Sequence, residues 1–81
     1  MKTLNEAIVE RLFKYMRERN LTQYKLSQIS GIPFPTIKSI FQKRTKGITL
    51  KTIILICNGL NISVGEFLND NSFLYESLDL E

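Results

Sequence analysis

Between Leu4 and Arg19, apolar side chains fall at Leu4, Ile8, Val9, Leu12, Phe13 and Met16, the three-to-four spacing of a helix with one buried stripe. Asn20 closes that pattern. Leu21 and Thr22 then offer an apolar residue followed by a hydroxyl able to accept a free backbone N–H, which predicts a second, short helix from Gln23 to about Ser30. Gly31 stops it, because a left-handed turn residue without a Cβ is cheapest there.

A third helix is predicted from near Pro33. Pro33 takes the cap position and Pro35 the first turn, where backbone N–H groups lack intrahelical partners, and Ile37, Ile40 and Phe41 form its buried face. Gln42 to Ile48 has no periodicity and reads as an exposed loop. Thr49 caps a fourth helix, Leu50 to about Leu60, whose apolar content exceeds one stripe and needs a further surface to cover it. Ser63-Val64-Gly65-Glu66 reads as a reciprocal capping box opening a fifth short helix with Phe67 and Leu68. Asn69 to Ser72 breaks it, and Phe73 to Glu81 mixes apolar and acidic residues without a period, either a frayed helix or an arm. No run competes as a strand. The expected class is all-α, five helices in one domain over residues 1–69, followed by an acidic tail over 70–81 that dimerises or folds back.

Eighty-one residues suffice for one core, and the 43% apolar content is that of a globular chain. Charge divides the chain more sharply than the net +3 suggests. Residues 11–51 carry ten bases against one acid, Glu18, whereas residues 52–81 carry five acids and no base. A polyanion is drawn to the first part and repelled by the second, and the phosphate backbone is the commonest such partner. The bases fall on several elements and a loop, not on one face of an amphipathic helix, which argues against an anionic membrane.

The chain has no histidine, which removes Cys/His zinc sites and Ser-His or Cys-His nucleophile pairs. Its acids are scattered outside any phosphate-binding or calcium-loop motif. Cys57 lies in the apolar run Ile53 to Leu60 and reads as a small buried hydrophobe. No enzymatic activity, metal, cofactor or small-molecule ligand is expected. No apolar run is long enough for a signal peptide or a membrane span, so a cytoplasmic protein is expected.

Two short helices around a glycine turn are a general motif. Ser27 is small enough for a close crossing, Gly31 makes the turn, and Ile37 and Ile40 pin the second helix of the pair. Its outer face then stands as a ridge that fits a groove about 12 Å wide. Residues 8–69 resemble the Cro and lambda-repressor-like helix-turn-helix family through Leu21-Thr22-Gln23, Leu26-Ser27, Ser30-Gly31-Ile32-Pro33, Thr36-Ile37, Thr49-Leu50 and Leu60-Asn61-Ile62-Ser63. The resemblance implies double-stranded DNA as partner, with the second and third helices as the reader. Thr22 and Gln23 match positions that hold a phosphate. Phe34, Pro35, Thr36, Lys38 and Ser39 match the exposed positions of the reading helix, and Lys43, Arg44 and Lys46 match a loop that follows the backbone.

The departures are informative. Phe34 and Pro35 cannot hydrogen-bond a base edge through their side chains, although they can touch a thymine methyl, so hydrogen-bonded discrimination falls to Thr36, Lys38 and Ser39. Phe34 has a second reading, as an anchor for the core or for another chain. Ser30 stands where relatives bury an apolar residue, with Ile29 beside it. Leu55 stands where they expose a charge, and with Leu68, Phe73, Leu74 and Leu78 it forms a candidate homodimer surface. The expected function is a sequence-specific transcriptional regulator, a repressor of bacterial or phage type. The alternative is an adaptor or antitoxin that keeps the fold with weak base reading.

Overall fold

The computed structural model describes residues 1–42 and 47–80. Five α-helices account for most of it: α1 (Leu4–Arg19), α2 (Gln23–Ser30), α3 (Phe34–Phe41), α4 (Leu50–Leu60) and α5 (Val64–Leu68). Two 3-10 turns follow, Asn71–Phe73 and Tyr75–Ser77. Two short strands, β1 (Lys2–Thr3) and β2 (Leu78–Asp79), pair in parallel with Lys2 opposite Leu78 and Thr3 opposite Asp79. The class is all-α, as the periodicity predicts. The strand pair was not predicted, because two residues are too few to leave an alternating pattern.

Local chemistry sets the helix ends. Thr3 caps α1 reciprocally: its hydroxyl accepts from the Glu6 N–H (3.1 Å) and the Glu6 carboxylate accepts from the Thr3 N–H (3.0 Å). Thr22, Thr49 and Ser63 cap α2, α4 and α5 in the same way, each hydroxyl accepting from the N–H three residues on. Asn20 and Asn61 close α1 and α4 in the left-handed region, and Gly31 closes α2 there at φ 76°. A Cβ at Gly31 would meet nothing within 4 Å, so backbone conformation alone calls for glycine.

One core joins the helices, with Ile8 and Leu12 of α1, Leu26 of α2, Ile37 and Ile40 of α3, Ile53, Ile56 and Leu60 of α4, and Phe67 of α5. Each such side chain contributes about 1.5–3 kcal/mol by leaving water. The buried stripe of α1 differs from the apolar pattern. Leu4 and Phe13 are exposed, whereas Arg11 and Tyr15 are buried. Phe13 instead meets the half-buried Phe41 at 5.0 Å between ring centroids.

Ser27 is tied into the turn that joins α2 to α3. Its hydroxyl donates to the Ile32 carbonyl across the turn (2.6 Å). The close approach is between α2 and α4 at Gly59, where a Cβ would stand 2.6 Å from the Ile29 carbonyl oxygen and 2.9 Å from the Ser30 nitrogen. The departure at Ser30 is resolved within the turn. Ser30 is buried, and its hydroxyl accepts from the Ile32 N–H (3.2 Å) and donates to the Ser27 carbonyl (3.4 Å).

The predicted capping box of α5 is only half formed. The Glu66 carboxylate, instead of turning back to Ser63, accepts from the Tyr15 hydroxyl at 3.3 Å. Arg11 drives this arrangement. Its guanidinium lies under α5 and donates through Nε to the Phe67 carbonyl (2.7 Å) and through Nη2 to the Glu66 carbonyl (2.9 Å). Asp70 pairs with Nη1 at 3.8 Å. Five residues are too few for a self-supporting helix, so α5 depends on this clamp and on Phe67.

Candidate nucleic-acid interface

The α2–turn–α3 unit is positioned from behind. Ile37 is fully buried and Ile40 nearly so, which turns the opposite side of α3 outward. On that outer side Pro35, Thr36 and Lys38 are exposed, while Phe34 and Ser39 are half-buried. The Ser39 hydroxyl donates to the Pro35 carbonyl one turn back (3.0 Å), leaving its oxygen lone pairs for any further partner. Thr22 is exposed at the start of α2, with its oxygen engaged by the Lys25 N–H, and Gln23 is half-buried beside it. Thr22, Gln23 and the outer positions of α3 thus belong to one unit. Lys43, Arg44 and Lys46 lie outside the described residues.

Phe34 does not enter the core. Its ring makes a T-shaped contact with Tyr24 on α2, with centroids 5.5 Å apart and planes 81° to one another, and the Lys38 ammonium sits 5.6 Å from its centroid. Tyr24 is 58% exposed and was not among the sequence-derived candidates. The signal for it was available: an aromatic two residues before Leu26 cannot share the stripe that buries Leu26.

The basic block is less uniform than its count suggests. Arg11 is buried and bonded to α5, and Arg19 donates to the Leu60 carbonyl at the end of α4 while its guanidinium lies 5.7 Å from the Tyr15 ring. These two cations hold helix ends. Lys14, Arg17, Lys25 and Lys51 are exposed.

The proposed self-association residues separate into two groups. Leu78 is buried in this chain beside the β1–β2 pair, and the half-buried Phe73 packs against Phe67 with ring centroids 6.3 Å apart. The tail has returned over its own domain, so these two apolar groups are already covered. Leu55, Leu68 and Leu74 are 36–47% exposed, and Leu50 and Ile54 continue the outer face of α4.

Cys57 is 1% exposed, and burial pushes its thiol upward, which disfavours the reactive thiolate. Burial likewise raises Tyr15, with the neighbouring Arg11 opposing the shift. Among the described residues no group of His, Cys, Asp or Glu could hold a metal ion, and no helix is long and apolar enough to cross a membrane.

Two short helices around a left-handed glycine, with the outer side of the second left open, define a helix-turn-helix module. Comparison with known proteins gives its family. Residues 11–72 match the Cro/C1-type HTH DNA-binding domain. The chain is 32% identical over 65 residues to control protein C.SmaI of Serratia marcescens, covering 80% of this chain and 76% of that protein. No solved structure gives a significant match. The chain belongs to the Cro/C1-type HTH DNA-binding family; it is a DNA-binding transcription regulator and not an enzyme.

Proposed function

We propose that this regulator acts as a cytoplasmic repressor of bacterial or phage type, placing α3 in the major groove of an operator and blocking access to it. The observation that carries this reading is the outer side of α3. Pro35, Thr36 and Lys38 are exposed there, while Ile37 and Ile40 on the opposite side fix the helix to the core. Thr36, Lys38 and Ser39 supply polar groups for base edges. Thr22 and Gln23 supply phosphate contacts where the positive end of the α2 dipole favours an anion. Lys43, Arg44 and Lys46 follow the backbone and provide most of the affinity.

The repressor binds as a two-fold dimer on half-sites about 34 Å apart. The support for this is the number of exposed apolar side chains, Leu50, Ile54 and Leu55 on α4, Leu68 on α5 and Leu74 in the tail.

Selection of sites from random duplexes, followed by fluorescence-anisotropy titration against salt, tests the reading. The expected sites are inverted repeats. The logarithm of affinity falls linearly with the logarithm of salt, with a slope of about 0.9 per phosphate neutralised. Replacing Lys43, Arg44 and Lys46 together by Ala lowers that slope by about three, with nearly equal loss on all sequences. No binding at low salt, or a flat salt dependence, overturns it.

A further inference from the structure

A base-reading helix normally opens on side chains that can hydrogen-bond, whereas α3 opens on Phe34, whose ring is held by two neighbours. The Tyr24 ring approaches from α2 at 5.5 Å and 81°, and Lys38 approaches from one turn further along α3 at 5.6 Å. The edge-on geometry sets the positive rim of one ring against the negative face of the other and so favours one orientation over free rotation. Phe34 remains only half-buried, and Tyr24 is 58% exposed, so the pair is not consumed by the core. What such a fixed aromatic surface can recognise in a major groove is apolar, and the apolar group displayed there is the C5 methyl of thymine.

We propose that Tyr24 is a positioning residue for thymine recognition: it holds the Phe34 ring in the orientation that packs against a thymine methyl at the entrance of α3. The inference rests on the reading of duplex DNA by α3 and goes beyond it by assigning a specificity role to a residue on the preceding helix. Tyr24 acts through its ring rather than its hydroxyl, since the contact with Phe34 is between the two rings.

The test uses the full chain and a site selected from random duplexes, with each thymine in turn replaced by deoxyuridine, which removes the methyl and keeps every hydrogen-bonding group. For the wild-type chain, one thymine position per half-site is expected to lose about four-fold in affinity on replacement, the effect of one apolar carbon leaving a contact. Phe34→Ala is expected to bind the thymine and deoxyuridine duplexes equally at that position. Tyr24→Ala is expected to reduce the same ratio toward one while leaving the salt slope unchanged, and Tyr24→Phe, which keeps the ring edge, restores it. Circular dichroism confirms that the variants are folded. Should Phe34→Ala not fold, the two Tyr24 variants decide the matter alone, because a purely structural role for Tyr24 would weaken all duplexes alike. Salt-dependent binding with ratios near one at every thymine, or an unchanged ratio in Tyr24→Ala, overturns this proposal and leaves the parent reading standing. Absence of duplex binding overturns both.

Discussion

The two ends of this molecule use polar side chains in opposite ways. In the α2–α3 unit the bonds are local: Ser27 and Ser30 close the turn on Ile32 and one another, never more than five residues apart. At the α1–α5 end Arg11 reaches across 55 and 56 positions to the carbonyls of Glu66 and Phe67, and the tail comes back to pair with the N-terminus. The first end is shaped by its own sequence and leaves its outer surface free. The second is a long-range clamp that brings a buried cation against backbone carbonyls and acidic side chains. The comparison teaches that a basic residue in the positive block cannot be assigned to DNA by charge alone, since Arg11 and Arg19 serve helix ends instead.

Removing the clamp should separate the two ends most sharply. Arg11→Ala leaves the Glu66 and Phe67 carbonyls without their charged donor and Asp70 without its cation. The expected loss is about 3 kcal/mol, lowering Tm by on the order of 15 °C for a chain of this size. Among molecules that remain folded, the salt slope of DNA binding should be unchanged. A calorimetric scan combined with anisotropy below the transition checks both halves, and a changed slope would place Arg11 in the DNA interface.

Gly59→Ala acts instead on the seam between α4 and α2, behind the turn that leads into α3. The added Cβ meets Ile29 and Ser30 backbone rather than a movable side-chain tip, so α4 and α2 must separate. Overpacking of this kind costs about 2 kcal/mol. Unlike Arg11→Ala, it should also weaken duplex binding in the folded protein, since the end of α2 and the Gly31 turn shift together. A denaturant titration gives the first quantity and operator affinity the second.

The smallest effect concerns pH. Asp70 is held below the ordinary aspartate range by its hydrogen bonds from Ser72 and, less strongly, by the Arg11 and Lys14 charges. A depressed value in the folded state means that the unfolded chain binds the proton more readily. The stabilisation is therefore complete above the ordinary aspartate value and disappears as pH falls through the folded one. Wild type should melt slightly above Asp70→Asn near neutrality, and that gap should close in acid. A gap that persists at low pH would assign the difference to packing rather than charge.

How legible each feature was follows from the range of the interaction behind it. Thr22, Gly31, Thr49 and Ser63 could be read as ends because a hydroxyl or a missing Cβ acts on backbone one to three residues away. The cap of α1 is equally local, in Thr3-Leu4-Asn5-Glu6, but Thr3 lies outside the apolar stripe that starts at Leu4, so the periodicity does not mark it. The order of candidates along α2 and α3 was readable, but the contact between Tyr24 and Phe34 was not, because it depends on the angle at which two helices cross.

The chain alone specifies five helices, the hydroxyl caps of α2, α4 and α5, and the left-handed turn at Gly31. All of these depend on forces that act within a few residues. The tertiary structure decided which of two similar charges is buried and which small residue is the point of contact. It also decided whether the tail leaves the domain or returns to it. Arg11 and Arg17 look alike in the chain; only the arrival of α5 over one of them makes it a clamp. Gly59 looks like a weak point in a helix until α2 is laid across it. These outcomes depend on distances between residues far apart in the chain, which periodicity and local propensity do not encode.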